Sequence, residues 1–205
     1  MINYLSSRLT TAILAVSLMA MVGCASTEPA RFYLLHAIPD AEAEKTVATS
    51  ENDITVGIGP VEFPRYLDRP QIVTRISKTE LQLDEFGQWA EPLTHNFSRI
   101  LTENLSLLLS TERIFSYPWA GSTQVDYQVT VEVTRFDGTP GDSVTLNARW
   151  AILNGGEKDV LVKKKSSYRQ PASGKSYEAL VSAKSQALAD LSREIATAIK
   201  AIAKQ

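Results

Sequence analysis

Catalysis needs nucleophiles, bases or metal ligands held close together, and this chain offers few of them. Its histidines are His36 and His95, and its single cysteine is Cys24. Two isolated imidazoles and one thiol near the start do not make a zinc site or a Cys–His dyad. No Gly-x-Ser-x-Gly elbow occurs. Ser173-Gly174-Lys175-Ser176 has the ending of a phosphate-binding loop, but the motif needs Gly five residues before Gly174, where this chain has Arg169. That segment reads as a turn and a helix cap. Carboxylates are plentiful, and none is marked by an apolar setting. No catalytic, metal-binding or cofactor-binding residue is expected.

Recognition chemistry is better represented. Pro64 and Pro70 bracket a short loop containing Arg65, Tyr66, Asp68 and Arg69. Each proline fixes its own φ and pushes its predecessor out of the helical region. A stiff loop rich in Arg and Tyr loses little entropy on binding, which suits a recognition surface. It suits equally a packed strand connection closed by an Asp68–Arg69 or Asp68–Arg65 pair. The residues alone leave both readings open.

Elements on either side must position this loop. Ile54, Val56 and Ile58 alternate with Thr55, Gly57 and Gly59, the period of a strand. Glycines inside a strand point to a bulge or a close backbone approach. Residues 72–76 form the strand after the loop, and Leu81 and Leu83 begin its hairpin partner, which Phe86-Gly87-Gln88-Trp89 closes. Leu93, Phe97, Ile100, Leu101, Leu105 and Leu108 recur at helical spacing, so an amphipathic helix is expected over about 91–110. His95, Arg99 and Glu103 fall off its apolar stripe. Ile114 to Ala120 reads as a connection.

Val125, Tyr127, Val129, Val131 and Val133 alternate with polar residues and give the clearest strand. Val144 to Ile152 gives the next, and 160–168 a third. Asn154-Gly155-Gly156 is expected to supply the positive φ values of a tight hairpin. Lys163-Lys164-Lys165 on the third strand fits an edge guarded by charge better than a contact with anionic lipid. Residues 176–203 form a second amphipathic helix, whose apolar stripe is interrupted only by Lys184. The fold class is therefore α+β: a mainly antiparallel β-sheet covered by two amphipathic helices.

The chain has 205 residues and a formal net charge of −2, which suits one domain with a sizeable core and not a nucleic-acid binder driven by counterion release. Residues 1–23 read as a signal peptide, with Arg8 before a short apolar run. The run ends Ala20-Met21-Val22-Gly23-Cys24, which resembles the bacterial lipobox, although Met21 stands where Leu is usual. That resemblance implies cleavage before Cys24 and an acyl anchor, palmitate included, that holds the protein on a membrane without spanning it. Ala25 in place of Asp implies export to the outer membrane. Residues 24–30 are then the lipidated Cys and a short tether, whose six residues after Cys24 reach at most about 20 Å. Residues 31–205 form a single periplasmic domain, with an acidic insertion over 37–53.

The combination resembles the PqiC-type lipoproteins, the ABC-type transport auxiliary lipoprotein family. The matching residues are the lipobox, Arg31-Phe32-Tyr33-Leu34-Leu35, Val56-Gly57-Ile58-Gly59-Pro60-Val61, the block from Tyr66 to Arg75, and Trp89-Ala90-Glu91-Pro92-Leu93. The resemblance implies a non-enzymatic lipoprotein facing the periplasm. It would serve intermembrane lipid transport and envelope integrity with a periplasm-spanning MCE-domain protein and an inner-membrane component. Tyr66, Leu67, Asp68, Arg69, Pro70, Gln71 and Trp89 are the expected partner-binding residues or their support. A homo-oligomer around a tubular partner is compatible by analogy alone. The alternative is a periplasmic carrier of lipid or another hydrophobe, with an apolar cavity near Gly57 and Gly59.

Overall fold

Residues 29–39, 54–120 and 123–204 are described by a computed structural model. The signal peptide, Cys24 and most of the tether lie outside the described residues, as does most of the acidic insertion. In chain order the elements are β1 (Arg31–Tyr33), β2 (Val56–Glu62), β3 (Gln71–Arg75), β4 (Leu81–Trp89), α1 (Leu93–Leu109), β5 (Ile114–Ser116), β6 (Tyr127–Gly138), β7 (Ser143–Asn154), β8 (Val160–Pro171) and α2 (Tyr177–Ile202). They form two sheets, ordered β1-β4-β3 and β5-β2-β6-β7-β8.

The expected α+β class holds, with both helices on one face of the larger sheet. α1 lies against β2 and β5, α2 against β6, β7 and β8, and the helices touch each other. β6, β7 and β8 form the antiparallel meander, with Val144, Leu146, Ala148, Trp150 and Ile152 all buried. The sheets are mixed, however. β2 pairs in parallel with both β5 and β6, and β1 in parallel with β4. Parallel neighbours need a crossover, and α1 supplies it between β2 and β5.

Two local expectations are corrected. Residues 114–116 are a strand and not merely a connection. The segment is only three residues long, so it carries no readable alternation, and it is held by pairing with β2. Gly155 and Gly156 do not supply positive φ. The left-handed residue of that turn is Lys158, with φ 64°. Gly155 is needed for a different reason: a Cβ there would sit 1.6 Å from the Val125 carbonyl oxygen.

Ser176 caps α2 by accepting from the Ala179 N–H, as the turn-and-cap reading requires. β8 is an edge strand, and Lys163 and Lys165 on it are exposed. The segment after β1 has no ladder, yet its amides are satisfied by helix side chains. Leu35 N–H donates to Asn96 Oδ1 (2.7 Å), His36 N–H to Ser185 Oγ (3.1 Å) and Ile38 N–H to Asn104 Oδ1 (2.9 Å). Buried Asn96 and Asn104 thus clip the chain's entry onto the helices.

Candidate docking site

The bracketed loop joins β2 of the large sheet to β3 of the small one. Its backbone closes on itself, with Leu67 N–H donating to Pro64 O (2.9 Å) and Arg69 N–H to Leu67 O (3.0 Å). Phe63 roots it among aromatics, edge-on to Phe97 at 5.2 Å and to Phe136 at 6.3 Å between ring centroids. Leu67 is buried, and so is Trp89, whose N–H reaches Pro70 O at 2.7 Å. Tyr66, Arg69 and Gln71 are half-buried, while Arg65, Asp68 and Pro70 face solvent. Neither an Asp68–Arg69 nor an Asp68–Arg65 ion pair forms among the described residues. The structure therefore brings the expected docking residues together at one end of the small sheet. Leu67 and Trp89 stand there as support, and the polar residues lie outside them. The Arg69 Nε is buried with no hydrogen-bond partner among the described residues.

What holds this end in place is Asp137, near the end of β6. Its side chain is fully buried and accepts from four directions. Arg75 Nε and Nη2 donate to its two oxygens at 2.7 and 2.8 Å, Arg135 Nε donates at 2.9 Å, and the Tyr66 hydroxyl donates at 2.9 Å. Burial alone would raise the Asp137 pKa. Hydrogen bonds from Arg75, Arg135 and Tyr66 outweigh it and bring the value down to about 2. Burial and the facing carboxylate push Tyr66 up to about 12. The lock is thus a fixed charge, ionised throughout the physiological range.

Lys184 on α2 is the second buried charge. Its Nζ donates to the Phe136 carbonyl (2.5 Å) and lies 4.4 Å from the Phe136 ring centroid. Burial brings its pKa down to about 7, opposed by the charge of Asp137. A third cluster, Glu194 with Ser166, Tyr168 and Lys164, ties α2 to β8. Every polar member of these clusters is consumed by a contact within the fold. Both histidines are exposed, and no group of three metal-ligating side chains occurs among the described residues.

The place expected for an apolar cavity is filled. A Cβ at Gly57 would lie 2.7 Å from the Trp119 ring, and one at Gly59, whose φ is 122°, would lie 2.7 Å from Tyr117 Cβ. Tyr117 and Trp119 pack edge-to-face over β2 at 5.6 Å. The close-approach reading of these glycines is therefore correct, and β2 also carries an irregularity between Ile58 and Val61.

The sequence block from Tyr66 to Arg75 now has a physical reason, since its first and last residues converge on Asp137. A family model described as the ABC-type transport auxiliary lipoprotein component matches residues 33–196. The chain belongs to this family. Among solved structures, this auxiliary lipoprotein is similar to protein XCC0632 from Xanthomonas campestris, with 19% identity over 82% of this chain and 93% of that one, and a TM-score of 0.64. A crystal structure of an uncharacterized protein gives a TM-score of 0.67 with 19% identity, covering 84% of this chain and 99% of that one. At such identities the likeness is one of fold. No curated protein sequence matches. Among the described residues, no helix of the auxiliary lipoprotein is long and apolar enough to cross a membrane.

Sequence reasoning did not single out Asp137 or Arg75. Arg135-Phe136-Asp137-Gly138 looks like the polar approach to a turn, and nothing local marks the carboxylate as buried. Lys184 did carry a signal, as the one polar residue on its stripe.

Proposed function

We propose that this chain is a non-enzymatic outer-membrane lipoprotein subunit of an MCE-type intermembrane lipid transport system. In this reading Cys24 carries the acyl anchor and the domain faces the periplasm. The chain docks a periplasm-spanning MCE-domain protein, which works with an inner-membrane component, and so supports envelope integrity. The family's role as a transport auxiliary supports a transporter partner. The observation that carries the docking surface is the locked loop. Tyr66, held by Asp137, and buried Leu67 and Trp89 fix a backbone that presents Arg65, Asp68 and Pro70 to solvent. A preorganised polar surface of this kind binds with little ordering cost.

The test is charge reversal at Asp68, which is exposed and makes no ion pair among the described residues. Asp68→Arg should abolish co-purification with the MCE-domain protein while changing stability by no more than about 0.5 kcal/mol, as for an ordinary surface substitution. Retained co-purification would remove the loop from the interface. Tyr66→Ala is the poorer probe, because it also breaks the contact with Asp137.

A further inference from the structure

The hairpin of β3 and β4 carries exposed apolar residues on both sides of its polar turn, and nothing among the described residues covers them. Ile76 is 54% exposed, Leu81 36% and Leu83 43%. Ile76 and Leu81 flank the turn, and Leu83 follows Leu81 on the same strand face. Lys78 and Glu80 in the turn are opposite in charge. Exposed apolar groups gathered on one projecting element mark a contact surface. The direction of β1 indicates what that surface meets.

β1 runs parallel to β4, with Arg31 opposite Gly87. The chain therefore enters β1 from the side on which β4 begins, the side of the hairpin tip. Cys24 lies seven residues before Arg31. Seven residues reach at most about 25 Å. Seven residues back along β4 from Gly87 is Glu80, in the turn itself, about 23 Å away at strand spacing. The tether is thus long enough to bring its acyl end level with the hairpin tip and too short to let the domain stand far from the membrane.

We infer that the β3–β4 hairpin is a membrane foot: Ile76, Leu81 and Leu83 enter the headgroup region of the leaflet that holds the acylated Cys24. The inference rests on the proposed lipidation of Cys24. The turn carries balanced charge, so the contact is apolar, insensitive to salt and independent of anionic lipid.

The full lipidated chain, reconstituted into vesicles of phosphatidylethanolamine and phosphatidylglycerol, tests this. Cys24 is the only native cysteine and is blocked by its thioether, so Leu81→Cys supplies a unique thiol for an environment-sensitive fluorophore. Asp68→Cys, at the other end of the small sheet, is the reference. Lipids carrying a quencher in the upper acyl chain should quench the label at position 81 severalfold more than the label at 68, in high and low salt alike. Equal quenching at both positions overturns the foot. So does a label at 81 that is shielded from water but untouched by the lipid quencher, which would mark a protein partner or a second copy instead. Acyl mass on the chain and flotation with the vesicles are read on the same sample. A chain that floats without quenching at 81 loses the foot alone, and a chain with no acyl mass that fails to float loses the anchor and the foot together.

Discussion

Replacing Asp137 with Asn removes one negative charge from the point where Tyr66, Arg75 and Arg135 meet, and leaves the shape almost unchanged. Two routes give the cost. Removing one partner of a buried ion pair typically costs about 3–5 kcal/mol, because the other charge stays desolvated. Here the Arg75 side chain is 21% exposed and that of Arg135 36%, so both keep some water and the lower end, about 3 kcal/mol, applies. Depression of the Asp137 pKa from 3.8 to about 2 corresponds to about 2–3 kcal/mol at neutral pH. The agreement predicts a melting temperature about 6–12 °C lower for Asp137→Asn at pH 7. The sign follows from linkage. Because the folded-state value is depressed, the contribution is complete above about pH 4 and is lost as pH falls through about 2. The gap between the two proteins should therefore close over that interval. Tyr66→Phe should cost about 1.5 kcal/mol in the native background, as a hydrogen bond to a charge does, and close to nothing in Asp137→Asn. Thermal and urea unfolding at pH 7, 4 and 2 provide the check. A drop below about 2 °C at pH 7, or a gap that persists unchanged to pH 2, would refute the lock.

Lys184→Met keeps the aliphatic stem and removes the buried ammonium, so it should stabilise the fold by about 1–4 kcal/mol at pH 6, as apolar replacement of buried charge does. The Lys184 pKa is lowered in the folded state, so the penalty is complete below about pH 7 and fades as pH rises toward 10.5. The advantage of Lys184→Met should shrink over that interval, and an advantage that stays constant from pH 7 to 10 in paired urea titrations would sink the assignment. Gly155→Ala should cost about 3 kcal/mol, because its Cβ meets the Val125 carbonyl. Gly156→Ala, whose nearest neighbour would be 3.7 Å away, should be neutral within about 0.5 kcal/mol. Similar losses at both positions in thermal unfolding would mean that turn conformation, and not close approach, governs this hairpin.

The long amphipathic elements were legible because their burial is periodic. The Leu93 to Leu108 stripe and the Val129 to Val133 alternation each fix a face with no knowledge of the rest of the chain. The Gly57 and Gly59 approach was legible because a bare strand face needs a neighbour, although nothing identified Trp119 and Tyr117 as that neighbour. What stayed hidden is nonlocal. β5 exists only because β2 offers an edge to it. Arg75 and Asp137 are 62 residues apart, and each alone is an ordinary charged residue near a strand end. The stiffness of the Pro64–Pro70 loop was legible from its two prolines, but the internal Asp68–Arg65 or Asp68–Arg69 pair of the alternative reading does not form among the described residues. The loop is held from outside, through Tyr66.

That outside hold has a consequence for both ends of the small sheet. Tyr66 precedes β3 and Arg75 ends it, and both bind the same carboxylate on β6 of the large sheet. The Arg75 guanidinium also donates to the Lys78 carbonyl in the hairpin turn at 3.2 Å. One buried charge therefore pins the loop proposed to meet the partner and the base of the hairpin proposed to meet the lipid. Asp137→Asn should therefore loosen both ends at once. Amide exchange should quicken at Leu67 and Arg69, whose bonds close the loop, and at Ile76 and Ser77, which bond Glu80 across the turn. Amides of β7 between Ala148 and Ile152 lie in the middle of the large sheet and should change only as far as global stability does. Faster exchange confined to the loop would mean that the hairpin is held by its own ladder. A uniform rise across β7 as well would mean that Asp137 supports the whole domain and does not couple these two surfaces.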